Sequence, residues 1–533
     1  MKRLIISTVI LLAAVVAITI VYFNNLRPQG QHTGLVMHTI PPDAAFIIEF
    51  ANDTGFYEIF KNNELFTNLI GQPSSGELSA IRKEIFSNPA LSHFFSGQNV
   101  FISLHPQTNN RTGLLVTTSA SPDFKASMLD ELVKQRTGNL VASPIIIDGK
   151  KGYTFYSAEL KKRFYLIAHD GDIFSGSFSK ELVTQAAHMD PKKELVPFVL
   201  ISDQQTTNSL MNLYINYSQL NPLFRQLFIN KNTDIFKSFR LFSGLSALTL
   251  NYKSTAIMFS GLTNRPANVP QAYLDLFINQ QPVTNKLKNI FPSTTAYSTS
   301  FAVSDPQKFK ADLSNWQLKA NMQREKDSVF KKIKTETGVN IMAEFNRLMA
   351  NEFAVVTTRY QEKLAMISVK SGPDLRPVFN NISTIVRENI GLINYNKVPA
   401  LLLGDAFNAF RKPYYMILDN YLILANSINE LNSYLDSYTH HKFLSKLSDY
   451  SQYDNLLTEK SNISWFINFK DSQTELKRDL ASDFYTPFQN NNPGWKNFYA
   501  ASLQLTSSGK QFYTNFCMNL TAPDTTTSTG NIK

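Results

Sequence analysis

Leu213-Tyr214-Ile215-Asn216-Tyr217 returns, about 250 residues further along, as Trp465-Phe466-Ile467-Asn468-Phe469, and recurrence of this kind marks a repeated structural unit. Upstream of these strand-like segments the correspondence continues in the same order. Phe164-Tyr165-Leu166-Ile167 pairs with Tyr414-Tyr415-Met416-Ile417, and Ser179-Lys180-Glu181-Leu182 with Ile428-Asn429-Glu430-Leu431. Ser121-Pro122-Asp123-Phe124 is echoed by Gly372-Pro373-Asp374-Leu375, and the amphipathic stretches that follow end at Gly138 and Gly391. A shared order at a nearly constant offset is hard to reach by chance. The chain therefore reads as two tandem homologous repeats, 38–263 and 291–522, joined by a connector at 264–290.

Each repeat opens on a strand that runs into a capped helix. Ala45 to Phe50 precedes Asn52-Asp53-Thr54, and Tyr297 to Val303 precedes Asp305-Pro306; short polar side chains and proline are what a helix start requires. Strand pairs follow at 99–104 with 113–118 and at 352–358 with 364–369. The helix after each Pro-Asp pair carries an apolar stripe, Phe124, Met128, Leu129, Leu132 and Val133 in one repeat and Val378, Phe379, Ile382, Ile385 and Val386 in the other, with Gly138 or Gly391 as its stop. A strand meander then runs from Ile145 to Phe174, a short helix carries Glu181-Leu182-Val183, and strands at 213–217, 247–252 and 255–262 close the copy. Short turns between strands imply antiparallel pairing, and helices between groups of strands imply an α+β class with mainly antiparallel sheets covered by helices.

The first thirty residues bear on location. Leu4 to Phe23 is uncharged, and about twenty apolar residues suffice to cross a bilayer as a helix. Lys2 and Arg3 precede the run and Arg27 follows it, which favours a cytoplasmic N-terminus and an extracytoplasmic body. The run ends in Ile20-Val21-Tyr22-Phe23-Asn24-Asn25 with no small-x-small site, so residues 1–30 read as an uncleaved anchor rather than a signal peptide.

The composition, 43% hydrophobic and 18% charged, suits sizeable cores, and the length beyond the anchor calls for more than one of them. Forty phenylalanines point to packing through large rings. A net charge of +10 is mild for the length. Lys161-Lys162-Arg163 and Lys331-Lys332 are possible contacts for anionic lipid or acidic glycan, but fit a solvated face better; nucleic acid is not expected outside the cytoplasm. With one cysteine there is no internal disulfide, and the alternation in Phe512 to Leu520 sets Phe512, Thr514, Phe516, Met518 and Leu520 on one face and Cys517 on the other. The tail, 523–533, lacks the apolar residues needed to order it.

No local catalytic signature emerges. Gly244-Leu245-Ser246-Ala247-Leu248 lacks the last glycine of a nucleophile elbow and precedes a strand. The eight histidines show no metal-binding spacing, adjacent His440 and His441 point apart, and His169-Asp170-Gly171-Asp172 has the composition of a hairpin turn. Phosphate-binding loops and dinucleotide fingerprints are absent, so no cofactor is expected. This lowers the expectation of an enzyme without removing it, because carboxylates brought together only by the fold leave no local trace. Asn216 and Asn468 occupy the same place in the best-matching strand of the two repeats and are the candidate binding residues, against the plainer role of bonding a neighbouring backbone.

The layout, an N-terminal anchor, Pro41-Pro42-Asp43-Ala44-Ala45 leading into the first strand and a Phe- and Asn-rich duplicated body, resembles membrane-anchored envelope proteins of Bacteroidetes-type bacteria. That resemblance supplies no activity, and implies an O-glycosylation acceptor at Asp524-Thr525-Thr526. The expectation is a membrane-tethered extracytoplasmic, periplasmic, binding or scaffolding protein with an envelope protein, lipid or glycan as partner. A periplasmic hydrolase of cell-wall or glycan substrates and a lipid-binding envelope protein are the alternatives.

Overall fold

The computed structural model describes residues 30–521 apart from 54–55, 58–67, 69–71, 89–91, 108–110, 122–123, 125–127, 131–140, 158–159, 170–171, 191–208, 230–241, 267–268, 270 and 492–493. The Leu4–Phe23 run and the 523–533 tail lie outside the described residues, as do Gly138 and the Leu132 and Val133 end of the stripe that begins at Phe124. Among the described residues no helix is long and apolar enough to cross a membrane.

The fold is mixed α and β, built on an extensive antiparallel sheet of 20 strands. In chain order these are β1 Phe46–Ala51, β2 Asn99–Gln107, β3 Arg111–Ser119, β4 Val141–Ile147, β5 Lys150–Ser157, β6 Lys162–His169, β7 Ile173–Ser177, β8 Asn212–Asn216, β9 Leu245–Lys253 and β10 Ala256–Asn264. They continue as β11 Thr295–Ala302, β12 Met349–Thr358, β13 Lys363–Val369, β14 Ser383–Arg387, β15 Ile390–Ile393, β16 Tyr414–Leu418, β17 Tyr421–Ala425, β18 Ile463–Asn468, β19 Phe498–Ser508 and β20 Gln511–Leu520. Two further short strands, Val283–Thr284 and Lys460–Ser461, pair with each other apart from the sheet.

Pairing order is the same in both halves. β1 lies between β2 and β8, β3 joins β2 to β7, and β4 to β7 form a meander. β11 lies between β12 and β18, β13 joins β12 to β17, and β14 to β17 form a meander. Each half closes on a run of three, β8 to β10 and β18 to β20. The halves meet where β10 pairs with β20, from Ala256 opposite Asn519 to Thr263 opposite Phe512. Among the described residues the free edges are then β4 at one end and β14 at the other.

One face of this sheet rests on a single apolar core to which both halves contribute, from Ala45 and Phe50 through Phe259, Phe301 and Phe353 to Phe512 and Met518. The opposite face is covered in patches. Val36, Met37 and Ile40, in and just after the Gly30–Met37 helix, pack on Ile47, Phe101, Tyr214 and Ala247. Leu182, Val183 and Ala186 of the Lys180–Ala187 helix pack on Leu115 and Ile167. In the second half Leu431, Tyr434, Tyr450 and Tyr453 cover Met366, Met416, Ile423 and Phe466. Cys517 belongs to this patch while Phe512, Phe516 and Met518 face the shared core, as the alternation of that strand requires.

Helix starts follow local chemistry. Asp53 Oδ1 accepts from Phe56 N at 2.7 Å, and Asp305 Oδ1 accepts from Gln307 N and Lys308 N with Pro306 in the first turn. One expectation fails. The helix beginning at Gly372 ends at Asn381, so Ile385 and Val386 lie in β14 and Gly391 in β15. Ser383-Thr384-Ile385-Val386 is dominated by β-branched residues, which lose rotamer freedom in a helix and suit a pleated surface. Gly391 is a strand position with Tyr415 against it, since a Cβ there would strike that ring.

The stretch expected to connect the copies is not loose. Tyr273–Phe277 forms a buried 3-10 turn capped by Asp275, whose Oδ2 accepts from Ala272 N at 2.7 Å. The Phe277 ring lies 5.2 Å from Phe301, 5.3 Å from Phe309 and 6.2 Å from Phe353. Phe277→Ala should therefore behave as a core truncation, costing about 3–5 kcal/mol, read as a lowered denaturation midpoint; a change within ~0.5 kcal/mol would mark residues 273–277 as a mere linker.

Candidate functional site

The two candidate asparagines occupy matching positions, each the last residue of its strand, β8 or β18. Both are buried and both turn their amide oxygen on the chain just ahead. Asn216 Oδ1 accepts from Ser218 N at 3.2 Å and from Ser218 Oγ at 2.5 Å, capping the Tyr217–Leu227 helix. Asn468 Oδ1 accepts from Asp471 N at 2.9 Å. Their local bonding is that of a strand-to-helix corner.

The other sequence candidates are accounted for by packing. Ser246 is fully buried in a chain of hydroxyls, Tyr217, Ser246, Thr263 and Thr514, with Oγ to Oγ1 separations of 2.5 Å on either side of Thr263. The Cys517 thiol is pushed up to about 12, mainly by burial, and is not a nucleophile at neutral pH. His440 and His441 lie at the end of the Ile428–Thr439 helix, and Asp436 holds His440. Among the described residues no group of three or more His, Cys, Asp or Glu is placed to hold a metal ion.

Two buried polar arrangements on the outer face of the first half were not legible beforehand. In the first, His105 bridges Asp43 and Ser103, with Nδ1 at 2.7 Å from Asp43 Oδ1 and Nε2 at 2.8 Å from Ser103 Oγ. This is the connectivity of a serine-hydrolase triad, but two requirements of acyl transfer are unmet. Ser103 and His105 are both 0% exposed. In addition, β2 is paired on both sides by β1 and β3, so backbone N–H groups around Ser103 are committed to ladders rather than free to hold an oxyanion. What the bridge does is tie Asp43, in the loop after the first helix, to the sheet.

In the second, Glu49 is ringed by donors: Asn99 Nδ2 at 2.8 Å on Oε1, Asn212 Nδ2 at 3.2 Å and the Tyr214 hydroxyl at 2.6 Å on Oε2. A buried carboxylate is tolerated only when bonded in this way. The signal available in the sequence was the alternation itself, which puts Glu49, Ser103 and His105 on inward positions of their strands.

The second half has a small cavity on its outer face. It encloses about 30 Å³, room for roughly two water molecules. Ser300, Ser464, Ser502, Phe466, Tyr450, Glu352, Lys288 and Asp454 are among the residues that line it. Lys288 Nζ donates to both Asp454 oxygens, at 2.6 and 2.7 Å. Glu352 Oε2 accepts from Lys286 N and Leu287 N, both at 2.8 Å; burial holds this carboxyl above its usual range, with the two backbone bonds opposing. Gln504 is fixed by three bonds to Thr458.

No protein-family model matches the chain, and neither a curated protein nor a solved structure is similar to it. The geometry alone carries the functional reading.

If Asp43, His105 and Ser103 form a lock, His105→Ala should destabilise the protein by about 1–3 kcal/mol by emptying a buried site and removing the ring that ties buried Ser103 to half-exposed Asp43. It should also raise hydrogen exchange at residues 38–45, whereas reaction of Ser103 with a fluorophosphonate in the native protein would refute the lock. A second outcome concerns His169, buried with Nε2 at 3.0 Å from Ser175 Oγ. Burial, with the Lys150 ammonium adding to it, pushes the ring down to about 4. Between that value and the ~6.5 of free imidazole the unfolded chain takes up a proton the folded one refuses, so stability is whole above ~6.5 and falls toward pH ~4. The fall attributable to His169 is of order 3 kcal/mol, and His169→Asn should flatten it in denaturation midpoints compared between about pH 4 and pH 7.

Proposed function

We propose that this chain is a membrane-tethered, extracytoplasmic binding or scaffolding protein whose body is a tandem duplication, the two copies merged into one sheet. The anchor rests on Leu4 to Phe23, and the duplication on the recurring motifs together with the shared pairing order of β1 to β10 and β11 to β20. The observation that carries the reading is the pair of like ends. β4 with β5 terminates the sheet on one side and exposes Ile146 at 77%; β14 with β15 terminates it on the other and exposes Ile385 at 51% and Val386 at 42%.

Exposed aliphatic residues at corresponding hairpins are surfaces for a partner rather than core. Docking by strand addition is disfavoured at both, because β4 contains Pro144 and β14 is bulged between Ile385 and Arg387, devices that blunt an edge. Side-chain contact with an envelope protein is the mode this arrangement supports. One chain presenting two similar contacts also gains avidity from engaging both.

The test is in-cell crosslinking of the tagged full-length protein, with mass spectrometry of what is retained from native membranes. A stoichiometric partner should appear, and should fall roughly tenfold or more in Ile146→Asp or in the Ile385→Asp, Val386→Asp pair, as for loss of an interface hot spot. A retained set identical in the wild type and both variants would sink the scaffold reading.

A further inference from the structure

The cavity of the second half lies where the first half keeps its buried carboxylate. With Leu213 to Tyr217 laid on Trp465 to Phe469, Asn212 corresponds to Ser464. In the ladders Glu49 pairs with Asn212 and Ser300 with Ser464, so Ser300 takes the place of Glu49. By the same registers Ile47 pairs with Tyr214 where Ser298 pairs with Phe466, and Ala51 pairs with Asn99 where Ala302 pairs with Glu352.

The chemistry of the site is inverted between the halves. In the first, three donors, Asn99, Asn212 and Tyr214, surround an anion that the chain supplies. In the second, the Asn99 position is a carboxylate, Glu352, the Tyr214 position is an aromatic ring without a hydroxyl, Phe466, and the place of the Glu49 side chain is open space beside Ser300 and Ser464. Lys288 and Asp454 pair with each other, and Glu352, which accepts two backbone N–H bonds and lies near the Lys286 and Lys288 ammonium groups, is the remaining carboxylate of the lining. Ser502 is 3% exposed and makes no close side-chain hydrogen bond, but the Tyr453 hydroxyl, which donates to Cys517 O at 3.1 Å, is within reach as an acceptor for it.

We propose that this cavity binds a small primary ammonium group. Three N–H donors match an acceptor set of one carboxylate and serine hydroxyls, Phe466 and Tyr450, packed edge to face at 5.4 Å, give the site an aromatic side, and the volume admits a head group of a few heavy atoms with its substituent directed outward. The inference takes the binding reading above as its ground and names the ligand chemistry of a site separate from the two hairpins.

The test uses full-length protein in a neutral detergent, with saturation-transfer NMR on methylammonium chloride, and tetramethylammonium and acetate as size and charge controls at one ionic strength. Methylammonium should receive saturation and the controls should not. Glu352→Gln, which keeps an oxygen for the Lys286 and Leu287 N–H groups, should bind roughly tenfold or more weakly, the worth of a bond to a charged group. Ser300→Val, which fills part of the cavity, should abolish the signal at an unchanged thermal midpoint. No transfer, meaning a cavity that holds only water, or equal transfer in Glu352→Gln, or displacement by potassium ion at constant ionic strength, would each overturn the proposal. Crosslinking of Glu352→Gln reads the other question: a wild-type pattern leaves the scaffold reading standing whatever the NMR shows.

Discussion

Everything in this architecture depends on the ladder between β10 and β20. It is the only strand pairing among the described residues that links the halves within the large sheet, and the shared core lies along its inner face. Its register is narrowly determined. Side chains alternate with period two, so a slip of one residue would turn Phe512, Phe516 and Met518 away from the core and drive Tyr513, Asn515 and Cys517 into it. The hydroxyl chain from Ser246 through Thr263 to Thr514 lies across the same seam and closes only in this register. Gly261 supports it from the other side: a Cβ there would meet the Ala247 carbonyl oxygen, so glycine lets β9 and β10 approach at the strand that must also accept β20.

A sheet used on both faces has to bury polar groups, and the two halves handle this differently. In the first half the covering segment is the start of the described chain. Val36, Met37 and Ile40 are almost wholly buried, and His105 fastens the loop behind them through Asp43. The cover and the buried polar residues beneath it are therefore interdependent: without the helix, Ser103, His105 and Glu49 would face water, and without their bonds the cover would lie over unsatisfied groups. In the second half the cover is aromatic and comes from Tyr434, Tyr450 and Tyr453. Bulky rings bridging polar strand positions do not close completely around Ser300 and Ser464, which accounts for a cavity on that side.

Much of the framework was legible because it is written in local patterns. The alternation of Phe512 to Leu520 placed Cys517 on the face it occupies, and Asp305-Pro306 announced a helix that starts there. The segment 383–391 was misread because a single apolar stripe, Val378, Phe379, Ile382, Ile385, Val386, satisfies helical spacing, while the β-branched run that ends the helix sits inside it. The polar clusters were illegible for a different reason. Glu49 meets partners 50, 163 and 165 residues away, and His105 meets Asp43 62 residues away. Alternation says that such residues point inward, but only strand order says toward whom. Asn216 and Asn468 stood out by recurrence, which marks a shared position and does not distinguish a corner from a ligand site.

The ends of the sheet raise the last question of design. Open sheets of this width are exposed to edge-to-edge pairing, and a sheet built of two halves with the same pairing order has an edge of the same kind at either end. Joining the halves through β10 and β20 removes one edge from each and leaves, among the described residues, β4 and β14. Pro144 withholds a ladder donor from the first, while the bulge beside Arg387 twists the second. Yet Ile146, Ile385 and Val386 remain in water at those hairpins, where charged side chains would have protected the edge better. Backbone pairing is suppressed at both edges while apolar side chains stay exposed there.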